Sequence, residues 1–202
     1  MSLSFLLTSL VIVATPGTGA LYTVAAGLAR GHRAALVAAL GCTLGIVPHL
    51  IAAVTGLAAL LNASATAFQT LKYAGVAYLL YTAWATLRDR SALTVPEDAP
   101  EVPALRVIAK GIAINLLNPK LTLFFFAFLP QFVHTDPAHA WLPMIELSAV
   151  FMALTFAVFA LYGRFAATFR THIATRPAVA TTLRRTFAGA FAALAGLLAY
   201  EA

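Results

Sequence analysis

The stretch Asn115-Leu116-Leu117-Asn118-Pro119-Lys120 puts two carboxamides, a proline and an ammonium inside an apolar run. That run leads in through Ile112, Ala113 and Ile114 and leaves through Leu121, Leu123, Phe124, Phe125, Phe126, Phe128 and Leu129. Proline within a helix removes a hydrogen bond and clashes with the preceding turn, at about 3 kcal/mol. A lysine at the centre of a bilayer adds about 2.5–3.5 kcal/mol. Against a typical folding stability of about 5–15 kcal/mol, a cavity lined by broken backbone accounts for these groups better than a lapse in hydrophobicity. In such a cavity Lys120 is either a counter-charge for a carboxylate or an ion held by the backbone carbonyls of a broken helix. Asn115 and Asn118 either satisfy the freed backbone groups or bind an ammonium.

A second interruption, Thr15-Pro16-Gly17-Thr18-Gly19, divides the first apolar run of the chain. A half-helix beginning after each proline turns free N–H groups and a positive dipole end into the cavity, which suits a substrate carboxylate. A kink that serves packing alone is the alternative. The candidate substrate-binding residues are therefore Pro16, Gly17, Thr18, Asn115, Asn118, Pro119 and Lys120. His49, the one histidine inside a span, and Glu146, five positions into another, are the proton-coupling candidates. Imidazole exchanges protons readily near neutral pH, although a neutral histidine bonded between helices is the competing reading. For Glu146 the competing reading is a place near the outer interface.

Only helices of membrane length can hold these residues at a common depth. Of the 202 residues, 61% are hydrophobic and 10% charged, against about 25% charged in soluble domains. The apolar blocks are long enough to cross a hydrocarbon core of about 30 Å as helices, and the alternation of barrel strands is absent. The predicted spans are about Leu3–Ala29, Ala35–Leu61, Thr66–Leu87, Val107–Val133, Trp141–Tyr162 and Phe187–Tyr200. The first has no basic n-region and no convincing cleavage site, so it is expected to be retained rather than removed as a signal peptide. Loops one, three and five gather Arg30, Arg33, Arg88, Arg90, Arg106, Arg164, Arg170, Arg176, Arg184 and Arg185, whereas loops two and four contain no Lys or Arg. Cytoplasmic loops carry the basic excess, so both termini are predicted to lie outside the cytoplasm of an inner (plasma) membrane. The net charge of +6 reports those loops and does not argue for nucleic acid.

The Pro- and Glu-rich stretch from Ser91 to Pro103 divides a single transmembrane domain into residues 1–90, a cytoplasmic linker 91–106, and residues 107–202. Pro16 lies thirteen positions after Leu3 and Pro119 thirteen after Arg106, and Tyr73-Ala74-Gly75 has a counterpart in Phe187-Ala188-Gly189. Three spans per half make the second copy inverted. The fold class predicted is thus an all-α integral membrane protein of six helices in two inverted three-helix repeats, the first helix of each broken at proline.

Other chemistries find little to use. The single cysteine, Cys42, permits no intrachain disulfide and no Cys-x-x-Cys relay. No nucleotide-binding loop is present to drive transport directly by ATP, and no nucleophile–base pair within the spans has the spacing of an enzyme. A metal or inorganic-ion exporter would need ligands from His49, Cys42, Glu146 and the asparagines. Cys42 and His49 are seven positions apart, about two helical turns, on one face but too distant for easy chelation. No cofactor is called for.

At these residues the chain resembles the LysE/RhtB family of small amino-acid exporters. The segments that carry the resemblance are Asn115-Leu116-Leu117-Asn118-Pro119-Lys120 with Phe124 to Phe132; Leu71-Lys72-Tyr73-Ala74-Gly75-Val76-Ala77-Tyr78-Leu79-Leu80-Tyr81; and Thr15-Pro16-Gly17 with Gly31, Gly41 and Gly45. The residues motivate a carrier, and the resemblance adds the amino-acid substrate and the export direction, coupled to proton or ion influx. Its implied partners are an amino-acid-like small molecule and membrane lipid, with a homo-oligomer left open. The chain departs from the family where Pro-Gly is usually followed by Pro and an Asn, since Thr18 and Gly19 stand there. It also has Ile46 after Gly45, where an acidic residue is frequent.

Overall fold

The computed structural model describes residues 2–15, 17–61, 102–133 and 140–170, together with scattered positions of residues 73–88 and 181–199, nearly all of them helical. Pro16, Lys72, most of the linker and the basic connection at 171–180 lie outside the described residues.

Helix α1, Leu3–Ala14, is opened by Ser2, whose hydroxyl accepts from the amide of Phe5 at 3.2 Å. It stops at Thr15, whose ψ of 111° is extended, as expected of a residue that precedes proline. Helix α2, Thr18–Leu44, starts at Gly17 with no side-chain cap. The predicted loop Arg30–Arg33 is a turn carried by one residue: two helical segments meet at Gly31, which alone leaves helical geometry, at φ 79° and ψ −168°, and they fold back on each other, so that the Cys42 thiol faces Gly19 O. That region is open to glycine alone, so the polar composition that suggests a turn marks a reversal carried by one glycine.

The chain turns next at Gly45 and Ile46, and α3 runs over Val47–Leu61 with Pro48 in its first turn. Proline is tolerated there because its missing donor would be unpaired in any case. Helix α4, Ala104–Leu116, leads through Leu117 and Asn118 into α5, Pro119–Leu123. A π-helical turn at Phe124–Phe128 and a 3-10 turn at Leu129–Phe132 follow. The two arms meet at 60°. Helix α6 is Trp141–Thr168.

Among the described residues, Thr18–Gly56 and Trp141–Thr168 are long and apolar enough to cross a membrane, and the bent pair Ala104–Leu116 with Lys120–Phe132 makes a third. The outward faces of α1, α3 and α6 carry Leu7, Leu10, Val11, Ile51, Phe156, Leu161 and Phe165 exposed, so these helices are apolar outside as well as in, the mark of a lipid-facing surface.

Helix α2 is central, packed on both α4 and α6. Small residues let the backbones close up. A Cβ on Gly41 would sit 2.7 Å from the Ile108 carbonyl, one on Gly111 2.9 Å from the Cys42 amide, and one on Gly27 would collide with the Gly163 carbonyl. Without a hydrophobic drive between helices in lipid, such approach supplies the van der Waals contact that holds them. The phenylalanine run is core: Phe124 stacks on Phe151 at 4.0 Å, Phe125 meets Phe124 edge-on at 5.3 Å, and Phe5 meets Phe132 at 5.4 Å.

Candidate functional site

A helix ends with four carbonyls that have no intrahelical partner, and at the end of α1 the partners come from far along the chain. The Val11 carbonyl takes the amide and hydroxyl of Thr15 at 2.9 and 2.7 Å. The Lys120 ammonium donates to Ile12 O at 2.9 Å and to Thr15 O at 2.7 Å, and the Tyr162 hydroxyl donates to Ala14 O at 2.6 Å. Lys120 is 6% exposed, and its positive charge sits at the negative end of the α1 dipole. The carbonyl role that the sequence left open is therefore the one displayed. An ammonium has three donors, and the two carbonyls leave one in hand.

The second break is closed mostly by its own residues. Asn118 caps α5, its carboxamide oxygen accepting from the Lys120 amide at 3.1 Å, and Pro119 occupies a first-turn position of that helix. The Asn118 amide reaches Asn115 O at 3.1 Å, and its side-chain nitrogen reaches Asn115 Oδ1 at 3.3 Å. Asn115, 1% exposed, donates through Nδ2 to Cys42 O at 2.7 Å and so ties the end of α4 to α2. His49 Nε2 lies 3.0 Å from Asn115 O. A carbonyl only accepts, so Nε2 carries the proton and Nδ1 is left to face the Thr122 hydroxyl at 3.5 Å.

The two breaks touch. A Cβ on Gly17 would lie 3.3 Å from Lys120 Nζ and 3.6 Å from Asn118 Nδ2, and one on Gly19 would collide with Asn115 Oδ1. The first α2 bond is Leu21 N to Gly17 O at 2.9 Å, so the amides of Thr18, Gly19 and Ala20 precede the ladder. Thr18 Oγ1 is buried with no hydrogen-bond partner among the described residues. The first-turn amides, the unpartnered Thr18 hydroxyl and, beside Gly17, the Lys120 ammonium are thus found at the start of α2, donor types suited to an oxyanion.

Of the sequence-predicted residues, Gly17, Thr18, Asn115, Asn118, Lys120 and His49 are brought together. Pro119 joins them through its backbone, and Pro16 lies outside the described residues. Glu146 is not brought in. On α6 it is exposed, whereas Met144, Leu147, Ser148 and Phe151 face inward, so the helical phase turns it away. Tyr162 was missed; the one available signal was a phenol near the end of an apolar span. Cys42, weighed above for disulfide, redox and metal chemistry, serves the site through its carbonyl. Its thiol faces Gly19 O at 3.6 Å, and no group of three or more His, Cys, Asp or Glu suited to a metal occurs among the described residues.

Residues 10–202, almost the whole chain, match the LysE type translocator family. The chain belongs to this family. It is a multi-pass membrane translocator and not an enzyme. An uncharacterized membrane protein of Vibrio cholerae is 32% identical over 197 residues, 98% of this chain and 95% of the relative. A homoserine/homoserine lactone efflux protein of Salmonella typhimurium is 33% identical over 130 residues, 64% of this chain and 63% of the relative. A leucine efflux protein of Klebsiella pneumoniae is 28% identical over 138 residues, 66% and 64% of the respective chains. No solved structure matches the translocator.

Proposed function

We propose that this translocator exports a small amino acid, or a related zwitterionic metabolite, from the cytoplasm in exchange for inward proton or ion flow. It would do so as six spans in two inverted repeats, with both termini outside the cytoplasm of the plasma membrane. The observation that carries this reading is the junction of the two breaks, where the Lys120 ammonium holds Thr15 O at 2.7 Å while lying against Gly17 at the start of α2. A substrate carboxylate would take the first-turn amides of α2, the Thr18 hydroxyl and the third Lys120 proton. Asn115, Asn118 and the two prolines, Pro16 and Pro119, would keep the breaks open. The relatives named for homoserine and leucine efflux support this substrate class.

Coupling would pass through His49. Its Nε2 is committed to Asn115 O, so an incoming proton has Nδ1 to bind. There it would force the Thr122 hydroxyl to stop donating and loosen α3 from the second break.

The test is counterflow in liposomes with labelled leucine, homoserine and a panel of other amino acids. Wild-type exchange of at least one of them, and its loss in Lys120→Ala at equal protein level, is expected. Exchange unchanged in Lys120→Ala would remove the junction from the mechanism.

A further inference from the structure

The last carbonyls of α1 already hold an ammonium. Lys120 Nζ donates to Ile12 O at 2.9 Å and to Thr15 O at 2.7 Å, while Ala14 O is taken by Tyr162 and Val11 O by Thr15. Ile12, Thr15 and Lys120 are all buried. The same ammonium stands beside Gly17, the residue that precedes α2. It is therefore attracted by the negative end of one helix and repelled by the positive end of the next. Only two residues separate Thr15 from Thr18, so the acceptors that end α1 and the donors that begin α2 adjoin one cation.

An α-amino acid carries the matching pair, an ammonium and a carboxylate joined through one carbon. Its carboxylate suits the start of α2, where the Thr18 hydroxyl has no partner among the described residues, but a buried ammonium needs acceptors of its own. The side-chain oxygens of Asn115 and Asn118 already accept, from Asn118 Nδ2 and from the Lys120 amide. The carbonyls of Ile12 and Thr15 differ, because what occupies them is a flexible side chain with the charge and donors of the substrate's own ammonium.

We propose that the carbonyls of Ile12 and Thr15 are the ammonium subsite of the translocator, and that Lys120 is its tethered occupant, displaced when a zwitterion enters. The carboxylate draws the Lys120 ammonium toward the start of α2, and the substrate ammonium takes the two carbonyls that are vacated. One cation replaces another there, so neither buried carbonyl is left unpaired. The proposal rests on the amino-acid reading of the break, and its experiment has an arm that does not.

Selection for zwitterions follows. A carboxylate without an amine leaves the two carbonyls bare once Lys120 moves. An amine without a carboxylate must compete with a lysine held there at high effective concentration. The compounds 4-methylpentanoate and 3-methylbutylamine are leucine without its ammonium and without its carboxylate. In wild-type counterflow each should inhibit leucine exchange about a hundredfold more weakly than unlabelled leucine does. Where the panel selects another amino acid, its own deamino and decarboxy analogues are used.

The second arm empties the carbonyls. Lys120→Ala removes the ammonium and leaves room for n-propylammonium, which should raise the melting temperature of the detergent-solubilised variant by about 5 °C. Propanol is uncharged and propyltrimethylammonium has no N–H donor, so neither should do so, and wild type should respond to none of these compounds. A variant that unfolds on extraction is extracted in each compound instead, and recovery of monodisperse protein with propylammonium alone is then the expected result.

Inhibition by either analogue within about threefold of leucine overturns the proposal, since a carboxylate or an amine alone would then suffice. Stabilisation or recovery with propanol equal to that with propylammonium reports filled volume, and none with the amine reports no ammonium site; either overturns it as well. If wild type exchanges no amino acid of the panel, the amino-acid reading of the break fails, and the amine response of Lys120→Ala alone decides the subsite.

Discussion

The two breaks are built in opposite ways, although both interrupt an apolar helix beside a proline. The second is largely self-sufficient: Asn118 caps α5, bonds back to Asn115, and turns the chain by 60° within two residues. The first has no such residue. Gly17 offers no side chain to cap α2, and the carbonyls of α1 depend on Lys120, more than a hundred positions away, and on Tyr162. One break is therefore a fixed turn, and the other is a pair of helix ends held apart by a borrowed charge. The open donors gather at the borrowed one, where a ligand meets groups not already spent on structure.

Substitutions at Lys120 and Asn118 test that asymmetry, and the largest effect belongs to Lys120. Lys120→Met removes the partner of two buried carbonyls, at about 1–3 kcal/mol for each. Asn118→Ala removes one cap, at about 1 kcal/mol. Thermal unfolding in detergent should show the lysine variant clearly less stable than the asparagine variant. Equal losses would mean that the breaks are equally autonomous. Tyr162→Phe deletes one hydrogen bond, to Ala14 O, and should cost about 1 kcal/mol by the same measurement.

His49 separates function from stability at the second break. His49→Gln keeps a donor for Asn115 O but has no Nδ1 to protonate. Counterflow, which needs no net proton movement, should survive, while uptake driven by an imposed pH gradient should be lost. Retained pH-driven uptake would take His49 out of the coupling.

Both interruptions were legible in the sequence because each combines a cost in helix bonding with a cost in solvation, and apolar context makes such costs conspicuous. The cap at Asn118 follows from residue type and spacing alone. Arg30 to Arg33 likewise reads as a turn by composition, and the chain does turn back there, with Gly31 alone leaving helical geometry. What was not legible depends on rotation and on distant packing. Glu146 was placed by depth, but depth does not set helical phase, and its neighbours Met144 and Leu147 claim the inner face. The choice between Lys120 as counter-charge and Lys120 as cap needs the end of α1, which no local pattern connects to residue 120.

Thr18 gives the finest test of why donors stay open at the first break. Its hydroxyl is buried and unpartnered among the described residues, and a buried hydroxyl without a partner costs about 1–3 kcal/mol. Thr18→Val has the same shape and removes that cost, so a purely structural residue would yield a variant of equal or higher stability with transport intact. If the hydroxyl binds the substrate carboxylate, stability should still hold or rise while the KM in counterflow increases about tenfold, equivalent to one lost hydrogen bond to a charged group. Gly17→Ala provides the adjacent control. Its φ of −105° suits any residue, and the added methyl needs only a small retreat of Lys120 Nζ from 3.3 Å. It should leave the fold stable and slow exchange modestly. Should both variants transport like wild type, the open donors of α2 would be a feature of packing, and the difference between the breaks would carry no information about the substrate.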